Sequence, residues 1–530
     1  MQSLSELIIA RPQQSLTAQW PYVSQFVLGA AHPAHLPEWR RTTVGEHFKL
    51  TTHPALCLAQ ERDGDRELTL LGNLLDPINP DATNTDILRA LLVHDTRASL
   101  LDASARYGGR WLLIAAHGSE VFLFPDALGL RQAFYTDPAR TGSVWVMSQP
   151  GIGEELLGLT PDAQALAYID TQTFRCTHEY RWPGAASPFE GLKHLLPNHW
   201  LDLSTGQAHR YWPAAPLAPL SVDAAVDQLM VLMPGLIRAA VARYDVVLSL
   251  TAGIDSRMVL AAARGVMDRV RVMSLRQGRQ PDRHPDIEVP ARLLGRLGIG
   301  HDVVRAPATM SPEFALNFKR NTHQAHDHYG HDAEALLKRY GRAYAAITGS
   351  GAEVARSPFS DKLPYQKNIH ITPETLAWLE YGSVHPFLVS HFADWLRGAQ
   401  PPHIKPLDLF EWEQGSTWLS MVQLEFDVAW QDIFTPFNCR AVLNTFLAVN
   451  ERYRTQHGAK LCHAFIERAW PELLREPINP HKRSGQIKEA WTELKAIGKY
   501  WAFQRRMRSR PVTAAKKQRP GEAGPLIPIR

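Results

Sequence analysis

Two short stretches of this chain combine small residues, hydroxyls and a carboxylate in the way phosphate chemistry requires. The first runs through Leu250-Thr251-Ala252-Gly253-Ile254-Asp255-Ser256, directly after the apolar run Val246-Val247-Leu248-Ser249. A strand that opens through a small-residue loop into a helix aims backbone N–H groups and a helix N-terminus at an anion. Gly253 lets the backbone approach that anion closely, the hydroxyls of Thr251 and Ser256 can donate to phosphate oxygens, and Asp255 can hold a magnesium ion. The same residue types suit a tight turn capped by Asp255 or Ser256, so this loop alone leaves both readings open. The second stretch, Ile347-Thr348-Gly349-Ser350-Gly351-Ala352-Glu353, again sets glycines and a hydroxyl after an apolar run, with Glu353 placed either to serve a ligand or to cap a helix.

These loops need strands to carry them, and the periodicity supplies strands alternating with helices. A helix is predicted around Asp223 to Tyr244, a buried strand over Val246–Leu250 and a helix after Asp255. Val270–Leu275 reads as a second strand. Ile287, Ala291, Leu294 and Leu297 then stand at helical spacing before a third strand at His301–Val304, and the helical stretch Asp332–Tyr340 precedes a fourth strand at Ala343–Thr348. Such alternation implies βαβ units and a doubly wound parallel sheet with helices on both faces. Ligands bind such sheets beyond the strand carboxyl ends, where both loops lie.

The first two hundred residues differ. Short apolar segments such as Trp111–Ala115 and Val121–Phe124, punctuated by Gly and Pro, predict an α+β sandwich of packed sheets. This region ends near Tyr211-Trp212-Pro213, and the following AAPLAPLS reads as a linker, which gives domains over 1–213 and 222–504. Beyond Pro401 the chain is predicted to turn helical, with Trp412, Trp418, Trp430 and Trp470 as packing residues rather than a platform for bases. Residues 505–530 are basic and aperiodic and read as a disordered tail.

Bulk composition narrows the field. With 530 residues, 45% hydrophobic and 21% charged, the chain can bury a sizeable core in two or more domains. A formal charge of +4, much of it in the last stretch, does not indicate a nucleic-acid binder. Cys57, Cys176, Cys439 and Cys462 lie far apart with no CxxC pair, which excludes a thiolate zinc motif and fits a reducing cytoplasm. The start lacks the pattern of a signal peptide and no uninterrupted apolar run of about 18 residues occurs, so no membrane partner is expected.

The first loop resembles the SGGxDS signature of the ATP-pyrophosphatase superfamily, and the second resembles the GxGxDE segment of asparagine synthetases. Between them, Pro285-Asp286-Ile287 with Ala291, Leu294, Gly298 and His301 is similar to that family's helix and following strand. Thr435-Pro436-Phe437-Asn438 and the run from Trp470-Pro471 to Pro480 resemble its C-terminal helices. The resemblance implies an ATP- and Mg2+-dependent synthetase in which a substrate carboxylate attacks the α-phosphate, pyrophosphate leaves, and an amine displaces AMP to give an amide. It implies nucleotide binding by Leu250, Thr251, Ala252, Gly253, Ile254, Asp255, Ser256, Ser274, Thr348, Gly349, Ser350 and Gly351, with Asp255 and Glu353 as magnesium ligands. A C-terminal lysine that stabilises developing negative charge would be Lys482, in a segment similar to the family's RPK turn, or Lys488.

The segments from Gly108 to Asp137 and from Pro188 to Pro213 resemble the glutamine-amidotransferase-like domain that precedes asparagine synthetase. There the first residue of the mature chain is a nucleophilic cysteine. Here the chain reads Met1-Gln2-Ser3 and the first cysteine is Cys57, so a silent glutaminase is expected, as in β-lactam synthetase and the lasso-peptide macrolactam synthetases. Such a domain implies an amine carried by a small-molecule or peptide substrate; a lasso-type role would add a precursor peptide and a protease as partners. Ser350 stands where asparagine synthetase has a glutamate, and a serine is a poor general base at neutral pH. An ammonia-dependent asparagine synthetase, an intermolecular ligase acting on a natural product or surface polysaccharide, and a non-catalytic scaffold are the rival readings.

His323, His326, His328 and His331 crowd around Asp327 without a thiolate or carboxylate-rich partner cluster. A polar helix start, or the wall of an acceptor pocket, suits them better than a metal site. Cys439 and Cys462 read as buried small hydrophobes.

Overall fold

The computed structural model describes residues 22–480 except 172–173, 175–180, 279, 282, 323–327, 357–358, 360–370, 400–402 and 456–458, together with 502 and 505. Residues up to Asp361 and from Gln366 to Pro480 form one compact unit; a second, Lys362–Tyr365 with His481–Arg530, has only positions 502 and 505 among the described residues. The fold is a mixed α/β one with two antiparallel sheets and one parallel sheet.

The first half of the compact unit is a layered sandwich. One six-stranded sheet runs Leu192–His194, Phe134–Thr136, Val146–Met147, Phe26–Gly29, Phe48–Thr52, Arg40–Val44 in spatial order. The other runs Gln207–Arg210, His199–Asp202, Glu120–Pro125, Gly108–His117, Arg66–Leu75, Leu58–Asp63. Period-two alternation decides which side chains face which layer. Leu112 and Ile114 point inward and share a core with Phe26, Leu28 and Leu50 of the facing sheet. Their neighbours Trp111, Leu113 and Ala115 point outward and are covered by Ile87, Leu88, Leu91, Leu100 and Leu101 from the helices Asn84–Leu92 and Arg97–Ser104.

The second half opens with helix α1 (Val222–Arg243), the one helix among the described residues long and apolar enough to cross a membrane; 56% of its apolar window is buried inside the molecule. A parallel sheet follows, built from β1 (Val246–Ser249), β2 (Val270–Arg276), β3 (His301–Arg305), β4 (Ala345–Ile347) and β5 (Ile433–Phe434), in spatial order β3-β2-β1-β4-β5. Register runs Val246 to Val270 on one side of β1 and Val246 to Ala345 on the other. On one face Val247, Met273 and Ala346 pack with Leu336 and Tyr340 of α4 (Gly330–Tyr340) and with Trp430. On the other face Val246 and Leu248 are equally buried, and helix α3 (Pro285–Leu297) packs on β2 and β3. Burial on both faces explains the near-continuous apolar run of β1.

The predicted strands are present with adjusted ends, the fourth shrinking to three residues. One element was not anticipated: the segment beyond Pro401 contains β5 as well as helices, because Ile433 pairs with Ala346 and extends the sheet by an edge strand too short to show periodicity. Trp412 and Trp430 are core residues, the indole N–H of Trp412 donating to the Ala127 carbonyl at 2.7 Å. Cys439 and Cys462 are buried, and burial pushes their thiols up to about 11 and about 12.

The two halves share buried polar contacts. Arg110 makes a two-pronged ion pair with Asp427, one arm at 3.0 Å. Asp432, beside it, accepts from Asn73 at 2.8 Å and lies 3.4 Å from Arg131.

Candidate functional site

The strand order reverses at β1: β2 and β3 extend to one side, β4 and β5 to the other. The chains leaving the carboxyl ends of β1 and β4 part at this switch point, the place where open α/β sheets bind ligands in a crevice. The loop Leu250–Gly253 leaves β1 and enters α2 (Ile254–Ala262), and the loop Thr348–Gly351 leaves β4 and enters α5 (Ala352–Ala355). Gly349 brings the two together. A β-carbon placed on it would sit 3.0 Å from the Ser256 amide nitrogen and 3.2 Å from the Asp255 Cβ, so any side chain would have to push the start of α2 back by a few tenths of an ångström. Gly351 has φ +89°, a left-handed conformation that glycine tolerates, and a side chain there would collide with Leu128 of the sandwich.

The first loop is held from within and from outside. The Thr251 amide donates to Ser256 Oγ at 3.1 Å, the two hydroxyls lie 3.0 Å apart, and the Gly253 amide donates to Thr251 Oγ1 at 3.1 Å. Asp286, in the first turn of α3, accepts from the Ala252 amide at 2.9 Å. The Ala252 carbonyl in turn accepts from Arg257 at 3.2 Å and from the Asn479 amide at 3.1 Å. Gly253 contributes no side-chain cap to α2, so the first-turn amides lack the usual side-chain acceptor. Leu250 and Ser274 sit behind the loop: Ser274, 1% exposed, donates to the Leu250 carbonyl at 2.7 Å and contacts His301 at 2.9 Å, which fixes the strand end rather than lining the crevice.

The second loop is tied similarly. Thr348 Oγ1 donates to Ser350 Oγ at 3.2 Å, and the Ser350 carbonyl accepts from Thr435 Oγ1 at 2.8 Å. Glu353 accepts from the Gly351 amide at 3.1 Å.

The charges converge at Asp255. Its Oδ2 pairs with Arg356 at 2.9 Å, while Oδ1 is buried without a hydrogen-bond partner. Burial pushes this carboxyl up to about 7; the Arg356 guanidinium opposes the rise and the nearby Glu353 carboxylate adds to it. A buried, unpartnered carboxylate oxygen beside a second carboxylate is a poor arrangement for the protein alone and a good one for a divalent cation. Asp255 and Glu353 would hold it. Among the described residues no group of three His, Cys, Asp or Glu forms a metal cage, and magnesium characteristically takes one or two carboxylates with substrate phosphates and water.

The two loops and the two acids expected from the sequence come together here; Arg257, Arg356 and the bracing role of Asp286 were not among those expectations. Arg356 stands three residues beyond Glu353, just past a one-turn helix, so no periodicity marked it. Lys482, Lys488, His323, His326 and the first three residues lie outside the described residues. The His328 ring meets the Tyr329 ring edge-on at 5.1 Å, and His331 Nε2 lies 3.4 Å from Asp332 Oδ1 at the start of α4.

No family profile and no curated protein matches the chain. Among solved structures it is similar to the glutamine phosphoribosylpyrophosphate amidotransferase from B. subtilis complexed with ADP and GMP, at 11% identity over 56% of this chain and 86% of that one, with a TM-score of 0.23. It is also similar to a structure described as the allosteric regulatory enzyme of purine biosynthesis, at 12% identity over 64% of this chain and 71% of that one, with a TM-score of 0.22.

Proposed function

We propose that this chain is an ATP-dependent ligase that adenylates a substrate carboxylate and joins it to an amine carried by a small-molecule or peptide substrate. The observation that carries the reading is Asp255 Oδ1, buried and unpartnered near Glu353 at the point where the two loops meet.

In this reading the loop from Thr251 to Ser256 holds the β- and γ-phosphates through its hydroxyls and the uncapped first turn of α2. Magnesium, when bound by Asp255 and Glu353, neutralises phosphate charge. A carboxylate oxygen of the substrate forms a bond to the α-phosphorus while the bond to pyrophosphate breaks, and pyrophosphate leaves. The amine nitrogen then bonds to the acyl carbon, loses its proton, and AMP departs with the electrons of the broken C–O bond. Holding carboxylate, α-phosphate and amine in one crevice converts two encounters into intramolecular steps. Lys482 or Lys488 would stabilise the negative charge that builds in both steps.

Pyrophosphate release tests the reading. The purified full chain is incubated with Mg-ATP and either aspartate plus ammonium or a pool of peptides, and pyrophosphate and AMP are counted together. Equimolar AMP and pyrophosphate that vanish in Asp255→Ala support it. Release of ADP and phosphate, or full turnover in Asp255→Ala, rejects it.

A further inference from the structure

We infer that a second site, on the outer face of the sandwich, binds a small apolar molecule carrying a carboxylate. A cleft of about 790 Å3 lies between the helix Arg97–Ser104, the outward face of the second antiparallel sheet and the segment from Tyr211 to Leu217. That volume falls within the range of small-molecule sites, and its walls include Leu101, Trp200 and Trp212.

Among the described residues one buried charge in this wall, Arg440, has no counter-ion; the acids Asp95 and Asp102, which also line the cleft, are exposed. Arg440 is 4% exposed and lines the cleft, yet no carboxylate stands within 4.0 Å of it among the described residues. It donates to Asn198 Oδ1 and, at 2.7 Å, to the Tyr211 hydroxyl, and its guanidinium lies 5.0 Å from the Tyr211 ring centre and 5.7 Å from that of Trp212. The carboxylate linked to it through Asn198 is Glu413, which is already engaged by Arg210 at 2.6 Å and by the Trp395 indole at 2.7 Å. Aromatic faces and neutral acceptors offset part of the cost of a buried cation but leave its charge open to an anion. Tyr211 accepts from Arg440 and so keeps its own proton to donate to the same anion. One helical turn on, Asn444 also lines the cleft, and its Oδ1 is buried without a hydrogen-bond partner, ready for an N–H.

A carboxylate on Arg440 and Tyr211, an N–H on Asn444 and an apolar body against the Leu101 and Trp212 walls describe the occupant: an N-acylated apolar amino acid or a compound of like shape. This site stands apart from the two loops and does not depend on the ligase reading.

The test compares N-acetylphenylalanine with N-acetylphenylalaninamide, which differ only in the charged group, by calorimetric titration of the full chain. The acid is expected to bind at least tenfold more tightly than the amide, with quenching of tryptophan emission. Arg440→Gln should erase the difference, and Ala105→Phe, which fills the cleft at a residue that lines it, should remove binding of both. If Arg440→Gln fails to fold, the acid-to-amide ratio of the unaltered protein and the Ala105→Phe variant decide. Equal binding of acid and amide, no binding of either, or unchanged binding in Ala105→Phe overturns the proposal.

Discussion

Arg356 holds one oxygen of Asp255 at 2.9 Å and leaves the other buried and unpartnered. The arginine therefore neutralises the carboxylate from one side only, while the Glu353 charge acts on it against the arginine. Replacing Arg356 by alanine removes the attraction that opposes burial and the Glu353 charge, so the Asp255 carboxyl should rise beyond about 7. At pH 7 most of it would then be protonated, and Mg-ATP affinity should fall by about tenfold for each unit of that rise. Calorimetric titration at pH 7 and pH 9 separates two roles: recovery at pH 9 means Arg356 acts through Asp255, whereas a loss that persists means it touches the nucleotide itself.

The unaltered protein should show the same titration near neutrality. The folded-state value of about 7 lies above the ordinary 3.8, so between those limits the folded chain holds a proton that the unfolded chain releases. Stability from this group is therefore fully present below pH 3.8 and is lost as pH rises through 7. Metal-nucleotide binding runs the opposite way, since it needs the ionised carboxylate. Affinity for Mg-ATP should climb from pH 6 to pH 8 and then level off. Titrations in two buffers of different ionisation enthalpy should report proton release near pH 6.5, and Asp255→Asn should abolish the release along with most of the binding.

Gly349 allows a third test, because its φ is not left-handed and what opposes a larger residue there is tight space alone. An alanine Cβ would press on the Ser256 amide and the Asp255 Cβ at 3.0 and 3.2 Å. The neighbours are the backbone and first turn of α2, which cannot swing aside as a flexible side chain could. Gly349→Ala should cost about 1–3 kcal/mol in urea denaturation and separate the two loops. Nucleotide binding should drop more steeply than stability predicts; a variant that binds Mg-ATP normally would show that the loops do not act as one site.

Much of this architecture was legible because it rests on short-range patterns. The run Val246–Ser249 is apolar because β1 is buried on both faces, and the glycines of the loops mark close approach or left-handed backbone. What stayed hidden depends on pairing across the chain. β5 spans two residues and exists because Ile433 meets Ala346. Arg257 and Arg356 look like ordinary helical or turn arginines until folding sets one under the Ala252 carbonyl and the other beside Asp255. Ser274, which the resemblance assigns to nucleotide binding, donates its hydroxyl to the Leu250 carbonyl, a contact across the fold that no local pattern shows.

A buried polar cluster joins the sandwich to the parallel sheet and allows a fourth test. Arg110 is buried against Asp427, with Asp432 3.8 Å from the same guanidinium, and Asp432 immediately precedes β5. Asp427→Ala would leave a buried guanidinium with only the more distant acid, at a cost of about 3–5 kcal/mol. Arg110→Met with Asp427→Leu removes both charges and should cost less than the single change, because no ion is stranded. If the cluster couples the halves, the unaltered protein unfolds in urea as one transition seen alike by tryptophan emission and circular dichroism, and Asp427→Ala splits or shifts it. Two separate transitions in the unaltered protein, or an Asp427→Ala midpoint unchanged within error, would show that the sandwich and the parallel-sheet half are stabilised independently.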